Sequence, residues 1–385
     1  MPNEHTASRG VGLLDIARSL GGLSIKAVKL ADHLLGGLTA CLIPSRPETE
    51  IPPDQCRQIL IIRPGGIGDA VFLIPILLAL KNVPTISAVD ILCENRNREI
   101  FLSQSRLFRK LYCYDARSEF TKIFKNHYDL IVDTEQWHYL SAIVSVLVPN
   151  RFNCGFASRP LRAKLFHRRV PYETGDYEMK NFRRLFEFLL GKDTPEPLVD
   201  GCFEIEEQTR QWARQMVPTG AVAVFVGASI ALRRIPGDLA EAIGRLVLKL
   251  QHPVVLLGGK DVLDAGKKFQ QDLQDSRVVN LVGQISLAQS TAIIRECRLF
   301  IGPDSGLLHL ASAVGTPAIG LFGPGNLKKW APRNEKTRIV TKNVSCSPCT
   351  HFGYTVPTCG GTYHCVKDIS INDIADFITQ ELSAS

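Results

Sequence analysis

Short, continuous apolar runs alternate along this chain with longer stretches whose apolar positions recur at helical spacing. Gln58–Arg63 (QILIIR), Ala88–Cys93 and Tyr128–Asp133 read as buried strands. Helices are predicted from the turn after Arg63 to Leu80, with Pro75 inside, and from about Trp137 to Val148. A second series places strands at Val222–Val226, Val254–Leu257, Val278–Leu281, Leu299–Ile301 and Ala318–Phe322. Helices around Leu239–Leu250, Val262–Leu273 and Leu287–Glu296 fall between them, and Thr209–Met216 precedes the series. Runs apolar on both faces, separated by amphipathic helices, are the pattern of a parallel sheet covered on both sides. Two such series predict an α/β protein of two domains, and 385 residues suffice for both. The two prolines of Asp193–Pro197 mark the expected boundary.

Two glycine-bearing turns carry the candidate chemistry. In LFIGPDSGLLHLASAVGTPAIGLFGPG (299–325), a strand runs into Gly302-Pro303-Asp304-Ser305-Gly306, a helix follows with Ser305 as N-cap, and the next strand comes after Gly315-Thr316-Pro317. The unpaired N–H groups at such a helix start suit a diphosphate or a sugar hydroxyl. Asp304 falls at the carboxyl end of its strand, where open α/β sheets place ligands. Asp-Ser-Gly is also ordinary turn chemistry, and His309 alone reads as a packed histidine. The other turn, Pro64-Gly65-Gly66-Ile67-Gly68-Asp69, invites a dinucleotide reading, with Glu94 as the ribose acid. Its spacing is not Gly-x-Gly-x-x-Gly. An aspartate where the helix begins would repel a pyrophosphate, so the turn is better suited to accepting a proton or a hydroxyl; the plainer alternative is that Asp69 only caps the helix.

The remaining stretches add partners and limits. Apolar positions from Gly10 to Leu42 recur nearly helically but are broken by charges, so this segment reads as an amphipathic helix, on a membrane surface or packed on its own domain. Ser45–Pro53 reads as a linker. The run Arg159, Arg162, Lys164, His167, Arg168, Arg169 contains no acid and reads as an anion-facing surface or an exposed basic loop. The net charge of +7 fits phosphate-bearing partners but is too small to imply nucleic acid, and no nucleic-acid motif accompanies it. Eleven cysteines without a secretory signal predict a reducing cytoplasm rather than a disulfide framework. Cys346-x-x-Cys349, Cys359 and Cys365 have the spacing of a structural zinc or iron site; free thiols in a loop, or one redox-labile disulfide, are the alternative. A closing amphipathic helix runs from an N-cap at Ser370 to about Leu382.

The ordered set Ile-Ile-Arg-Pro-Gly-Gly-Ile-Gly-Asp (61–69), Val-Gly-Ala-Ser (226–229) with Leu-Arg-Arg-Ile-Pro (232–236), Leu-Leu-Gly-Gly (256–259), Gly-Pro-Asp-Ser-Gly-Leu-Leu-His (302–309) and Leu-Phe-Gly-Pro-Gly (321–325) resembles glycosyltransferase family 9, the lipopolysaccharide heptosyltransferases. The resemblance implies a GT-B fold, two Rossmann-like domains with parallel sheets facing a cleft, and a C-terminal helix crossing back to the first domain. The expected division is 1–53 amphipathic helix and linker, 54–197 acceptor domain, 198–345 nucleotide-sugar domain, and 346–385 Cys-rich loop and last helix. It implies an inverting transfer of heptose from ADP-heptose to a lipopolysaccharide-core or related glycan or glycolipid, with no cofactor needed, by a cytoplasmic enzyme peripheral on the inner membrane. Carried over, Asp69 is the general base, and Arg233 takes the place of a lysine facing the leaving phosphate. Gly68, Ser229, Arg234, Asp261, Asp304, Ser305, Gly306 and His309 would hold the donor. Arg159, Arg162, Arg168 and Arg169 would meet an anionic acceptor. The family's Lys-Arg-Trp-Pro-like segment is Arg233-Arg234-Ile235-Pro236 here, and Tyr177-Glu178-Met179-Lys180 replaces a His-x-Val-like helix start. The rival readings are a same-fold transferase using another nucleotide sugar, a nicotinamide-dependent oxidoreductase, and a non-catalytic membrane-surface binding protein.

Overall fold

The computed structural model describes residues 32–192, 198–228, 230–351, 354–355 and 359–383. Two six-stranded parallel sheets form the framework. The first contains β1 (Gln58–Arg63), β2 (Ala88–Cys93), β3 (Lys110–Cys113), β4 (Tyr128–Asp133), β5 (Asn150–Phe156) and β6 (Arg168–Val170), in the order 3-2-1-4-5-6. The second contains β7 (Val222–Phe225), β8 (Val254–Leu257), β9 (Val278–Asn280), β10 (Leu299–Pro303), β11 (Ala318–Leu321) and β12 (Thr337–Val340), in the order 12-11-10-7-8-9. The two orders are the same when each set is counted from its own first strand. In both, the order reverses between the first and fourth strands, β1 beside β4 and β7 beside β10. Outside the carboxyl ends at such a reversal the connecting helices diverge and leave a crevice.

The apolar runs became the central strands because both faces are covered. Ile59–Ile62, Val222–Val224 and Leu299–Ile301 are all 0% exposed. β3, β6 and β12 were not evident from apolar pattern because these edge strands are short and only partly buried, whereas β9, the fourth edge strand, was read from Val278–Leu281. β5, just inside an edge, carries a buried polar residue instead. Asn153 donates to Ser145 Oγ at 3.0 Å and to Leu165 O at 2.9 Å.

The Ile67–Lys81 helix is apolar around its circumference, as a helix buried on all sides must be. One side packs on the first sheet, and its start meets the Gly306–Ala313 helix of the second domain. Ile67 leaves room for only a hydrogen at Gly306, where a Cβ would stand 2.6 Å from its Cγ2. A second bridge is Glu99, whose Oε2 accepts from the N–H of Leu287 at 2.8 Å at the start of the Leu287–Glu296 helix. The closing helix, Ala375–Ser383, departs from expectation. It does not cross back to the first domain. Ile374, Ile378 and Leu382 bury into the same core as Val222, Val247 and Ile319, and Arg298 Nε donates to Glu381 O. An apolar stripe in reach of its own sheet is buried there, without crossing the cleft.

Candidate functional site

Four strand ends converge on one crevice between the domains. The β1 turn supplies Gly68 and Asp69, the residues after β4 supply Glu135, the loop after β7 supplies Arg233, and the β10 turn supplies Asp304, Ser305 and Gly306. They line a cavity of about 260 Å³. Gly65 makes the first turn possible, since its φ of +109° is a conformation that side chains resist.

The Asp69 carboxylate, a quarter exposed, faces Arg63 Nη2 at 3.8 Å. Arg63 is 1% exposed, donates to Thr134 O at 2.8 Å and pairs with Glu135 at 3.4 Å. Burial pushes the Asp69 carboxyl up to about 6; Arg63 opposes this, while Glu178 and Glu135 add to it. Burial would also raise Glu135, but Arg63, His138 and the Trp137 N–H outweigh it and hold that group below its ordinary range. The pocket thus keeps one carboxylate firmly ionised and another titrating near neutrality.

Across the crevice Asp304 is 3% exposed and its Oδ2 lies 3.1 Å from Arg233 Nη1. Burial raises its carboxyl and Arg233 opposes the shift. Arg233 also stands over the Trp330 ring, 5.7 Å from its centroid. Ser305 occupies the N-cap position of the Gly306 helix, but its side chain makes no capping bond. Ser305 Oγ and His309 Nδ1 are buried without a hydrogen-bond partner among the described residues. Burial, then Arg233, lowers His309 to about 4, so the ring is neutral at ordinary pH. It packs edge-on to Phe72 at 4.9 Å and lies against Gly68. A Cβ at Gly68 would stand 2.8 Å from His309 Cδ2. Gly68→Ala is therefore expected to cost about 1–3 kcal/mol by overpacking the domain contact, read by denaturant unfolding.

The other sequence-predicted residues divide. Arg234 pairs with Asp261 at 2.6 Å, and both line a second cavity, of about 450 Å³, beside the first domain-two turn. Ser229 lies outside the described residues. The basic run is not one surface. Arg162 is 0% exposed and bonds Asp133 Oδ2 at 2.6 Å, so it cannot touch an acceptor in this conformation; its expected role is corrected to a structural one. Arg159 packs on the rings of Trp137 and Tyr139, at 4.8 and 4.6 Å. Arg168 covers Phe188, and Arg169 pairs with Glu48 at 3.4 Å against the linker. None of the four lines either cavity. Sequence reasoning missed Arg63, Glu135, Glu178 and Trp330. Arg63 and Glu135 had a signal, because each follows or ends a strand at the sheet reversal. Trp330 had none, lying beyond the recognised motifs.

Cys346, Cys349, Cys359 and Cys365 are free thiols in the segment after β12. After burial, the other three raise Cys365, to about 11. Cys359 instead is pulled down to about 7 by the N–H groups of Tyr363 and Gly361. Among the described residues no three His, Cys, Asp or Glu side chains stand grouped as metal ligands.

Comparison with known proteins agrees with this geometry. Residues 117–357 match the glycosyltransferase family 9 (heptosyltransferase) profile. A curated relative, lipooligosaccharide heptosyltransferase 2 of Haemophilus ducreyi, is 21% identical over 322 residues, covering 74% of this chain and 88% of that one. The structure of Escherichia coli ADP-heptose lipopolysaccharide heptosyltransferase II superposes with a TM-score of 0.68 at 18% identity, covering 84% of this chain and 98% of that one. The iron-containing dodecameric glycosyltransferase TibC from enterotoxigenic E. coli superposes with a TM-score of 0.52 at 11% identity, covering 88% and 77%. The two sheets and the crevice between them are a GT-B fold.

Proposed function

Because the chain belongs to glycosyltransferase family 9, we propose that it transfers heptose from ADP-heptose to a lipopolysaccharide-core or related glycan, with inversion at the anomeric carbon. The observation that carries this reading is the convergence of Asp69 from one domain and the Arg233–Asp304 pair from the other on a single cavity. In the reaction an acceptor hydroxyl oxygen attacks the anomeric carbon. Asp69 takes its proton, and the bond to the diphosphate oxygen breaks. Negative charge grows on that diphosphate, where Arg233 and the backbone N–H groups of Ser305 and Gly306, at the start of their helix, stabilise it. Gly68 and His309 shape the contact against which the donor lies. Asp304 takes a sugar hydroxyl, while Arg234 and Asp261 serve the nucleoside in the adjoining cavity. These steps call for no metal. The nearest test is the melting temperature with ADP, UDP, GDP and NAD, where ADP should stabilise most. A preference for UDP or GDP would keep the transferase and overturn the heptose assignment; NAD alone would overturn the transferase.

The acceptor's anchorage is part of the same reading. Leu34, Leu35, Leu38 and Leu42 are between 49% and 78% exposed, and Leu140 and Leu147 on the neighbouring Tyr139–Leu147 helix are 52% and 59% exposed. Such apolar surface beside the acceptor domain supports a cytoplasmic protein resting on the inner membrane. Among the described residues no helix is long and apolar enough to cross it.

The four late cysteines offer a structural zinc or iron the right donor chemistry, thiols with Cys359 held down to about 7 by backbone N–H groups, though among the described residues they do not stand grouped as ligands. Bound there, a metal would tie residues 346–365 together. About one metal per chain is expected by elemental analysis, and its removal by a chelator should lower the melting temperature. Metal-free protein of unchanged melting temperature would leave four free thiols.

A further inference from the structure

The segment Tyr177-Glu178-Met179-Lys180, which departs from the family pattern, begins the Glu178–Leu190 helix and meets the opposite domain. Glu178 is 0% exposed and lines the cleft cavity. Its carboxylate accepts from Gln136 Nε2 at 2.7 Å and from Tyr172 OH at 2.8 Å, and faces Lys329 Nζ at 3.0 Å. Lys329 comes from the second domain, is 6% exposed, and lies 4.3 Å from the centroid of the Tyr172 ring. Four residues on, Arg333 covers the Tyr177 ring at 4.1 Å. Two cations of one short segment thus dock on residues 172–178. Burying an ion pair is costly, and it persists only where both partners and their hydrogen bonds are in place. Across two domains that condition holds only while the domains are together.

The residue after Lys329 is Trp330, and both sit in the single-turn helix Leu327–Trp330. Trp330 lines the cleft and carries Arg233 over its ring, and Arg233 in turn holds Asp304. A displacement of Lys329 therefore displaces the support of Arg233. We propose that Lys329 and Glu178 form an interdomain positioning pair, which seats Trp330 beneath Arg233 and so aligns the phosphate-facing guanidinium only when the acceptor-side domain is docked. Nucleotide bound to an open second domain keeps its own contacts, but transfer waits for docking, which limits loss of the sugar to water. The inference rests on the nucleotide-sugar reading above and adds to it two residues that need not touch either substrate.

Lys329→Met keeps the alkyl stem and removes the charge. The expected result is a kcat lowered about tenfold or more with the donor KM within about threefold, because alignment rather than ground-state binding is lost. Amide exchange should quicken in both 172–178 and 327–333, a readout independent of turnover. Glu178→Gln should act on the same step, so the double variant should be no slower than the slower single one. Wild-type kcat and exchange in Lys329→Met would overturn the proposal. So would additive losses, or a fall in nucleotide affinity and melting temperature that tracks kcat, since either makes the pair a stability contact only. If exchange quickens but the wild-type protein turns over no nucleotide sugar, the transferase reading fails and the docking contact stands.

Discussion

Replacing Asp69 with Asn is expected to lower kcat for transfer by a factor of about a hundred to ten thousand, the usual contribution of a positioned general base. The amide has the carboxylate's shape but takes up no proton, and Asp69 sits on the domain opposite Arg233 and Asp304, so affinity for ADP should change little. Stability should move the other way. The folded-state pKa is raised, to about 6 against an ordinary 3.8. The ionised carboxylate therefore costs folding free energy that appears as pH rises through that window and is complete above about 6. At pH 7 its removal should return at most about 3 kcal/mol, because each pH unit of that window is worth about 1.4 kcal/mol. Lost turnover with gained stability is the signature of a residue kept for chemistry. The same raised pKa predicts that wild-type kcat/KM rises with pH through about 6 and levels above it, since the base of the free enzyme must be unprotonated to act. A variant with near wild-type turnover would sink the assignment, and a wild-type rate that falls over that window would sink it too.

The largest loss of stability is expected from Arg162→Met, which should destabilise the fold by about 3–5 kcal/mol in denaturant unfolding at pH 8. Asp133 is 0% exposed and depends on Arg162 Nη2, with Ser141 Oγ at 2.9 Å and the Glu135 N–H at 3.0 Å completing its shell. Methionine can lie on Phe166, which the guanidinium now covers, but leaves a buried carboxylate without its cation. Even with Arg162 in place, burial raises Asp133 to about 6. Without it the carboxyl can take up a proton more readily, so the loss should shrink at pH 5. Arg168→Met and Arg169→Met, at partly exposed positions, should each cost less than about 1 kcal/mol. Equal effects from all three would mean that the run does act as one surface.

That run marks the boundary between what sequence and structure each decided. One-sided charge over Arg159–Arg169 is visible in the chain, but whether an arginine faces solvent or a buried aspartate depends on a residue 29 positions away. The central strands, the two glycine turns and the placement of Asp69 and Asp304 were determined by the sequence alone. Continuous apolar runs have no stable home but a covered parallel sheet, and a strand that ends in Gly-rich polar residues before an apolar helix leaves its ligand groups at the sheet's carboxyl edge. Family 9 membership was legible for the same reason, since these motifs are local and ordered. The edge strands β3, β6 and β12, the closing helix that stays on its own sheet, and Arg63, Glu178, Lys329 and Trp330 were decided by tertiary structure. Each owes its role to a partner from a distant part of the chain, and no local propensity encodes which buried cation meets which buried carboxylate.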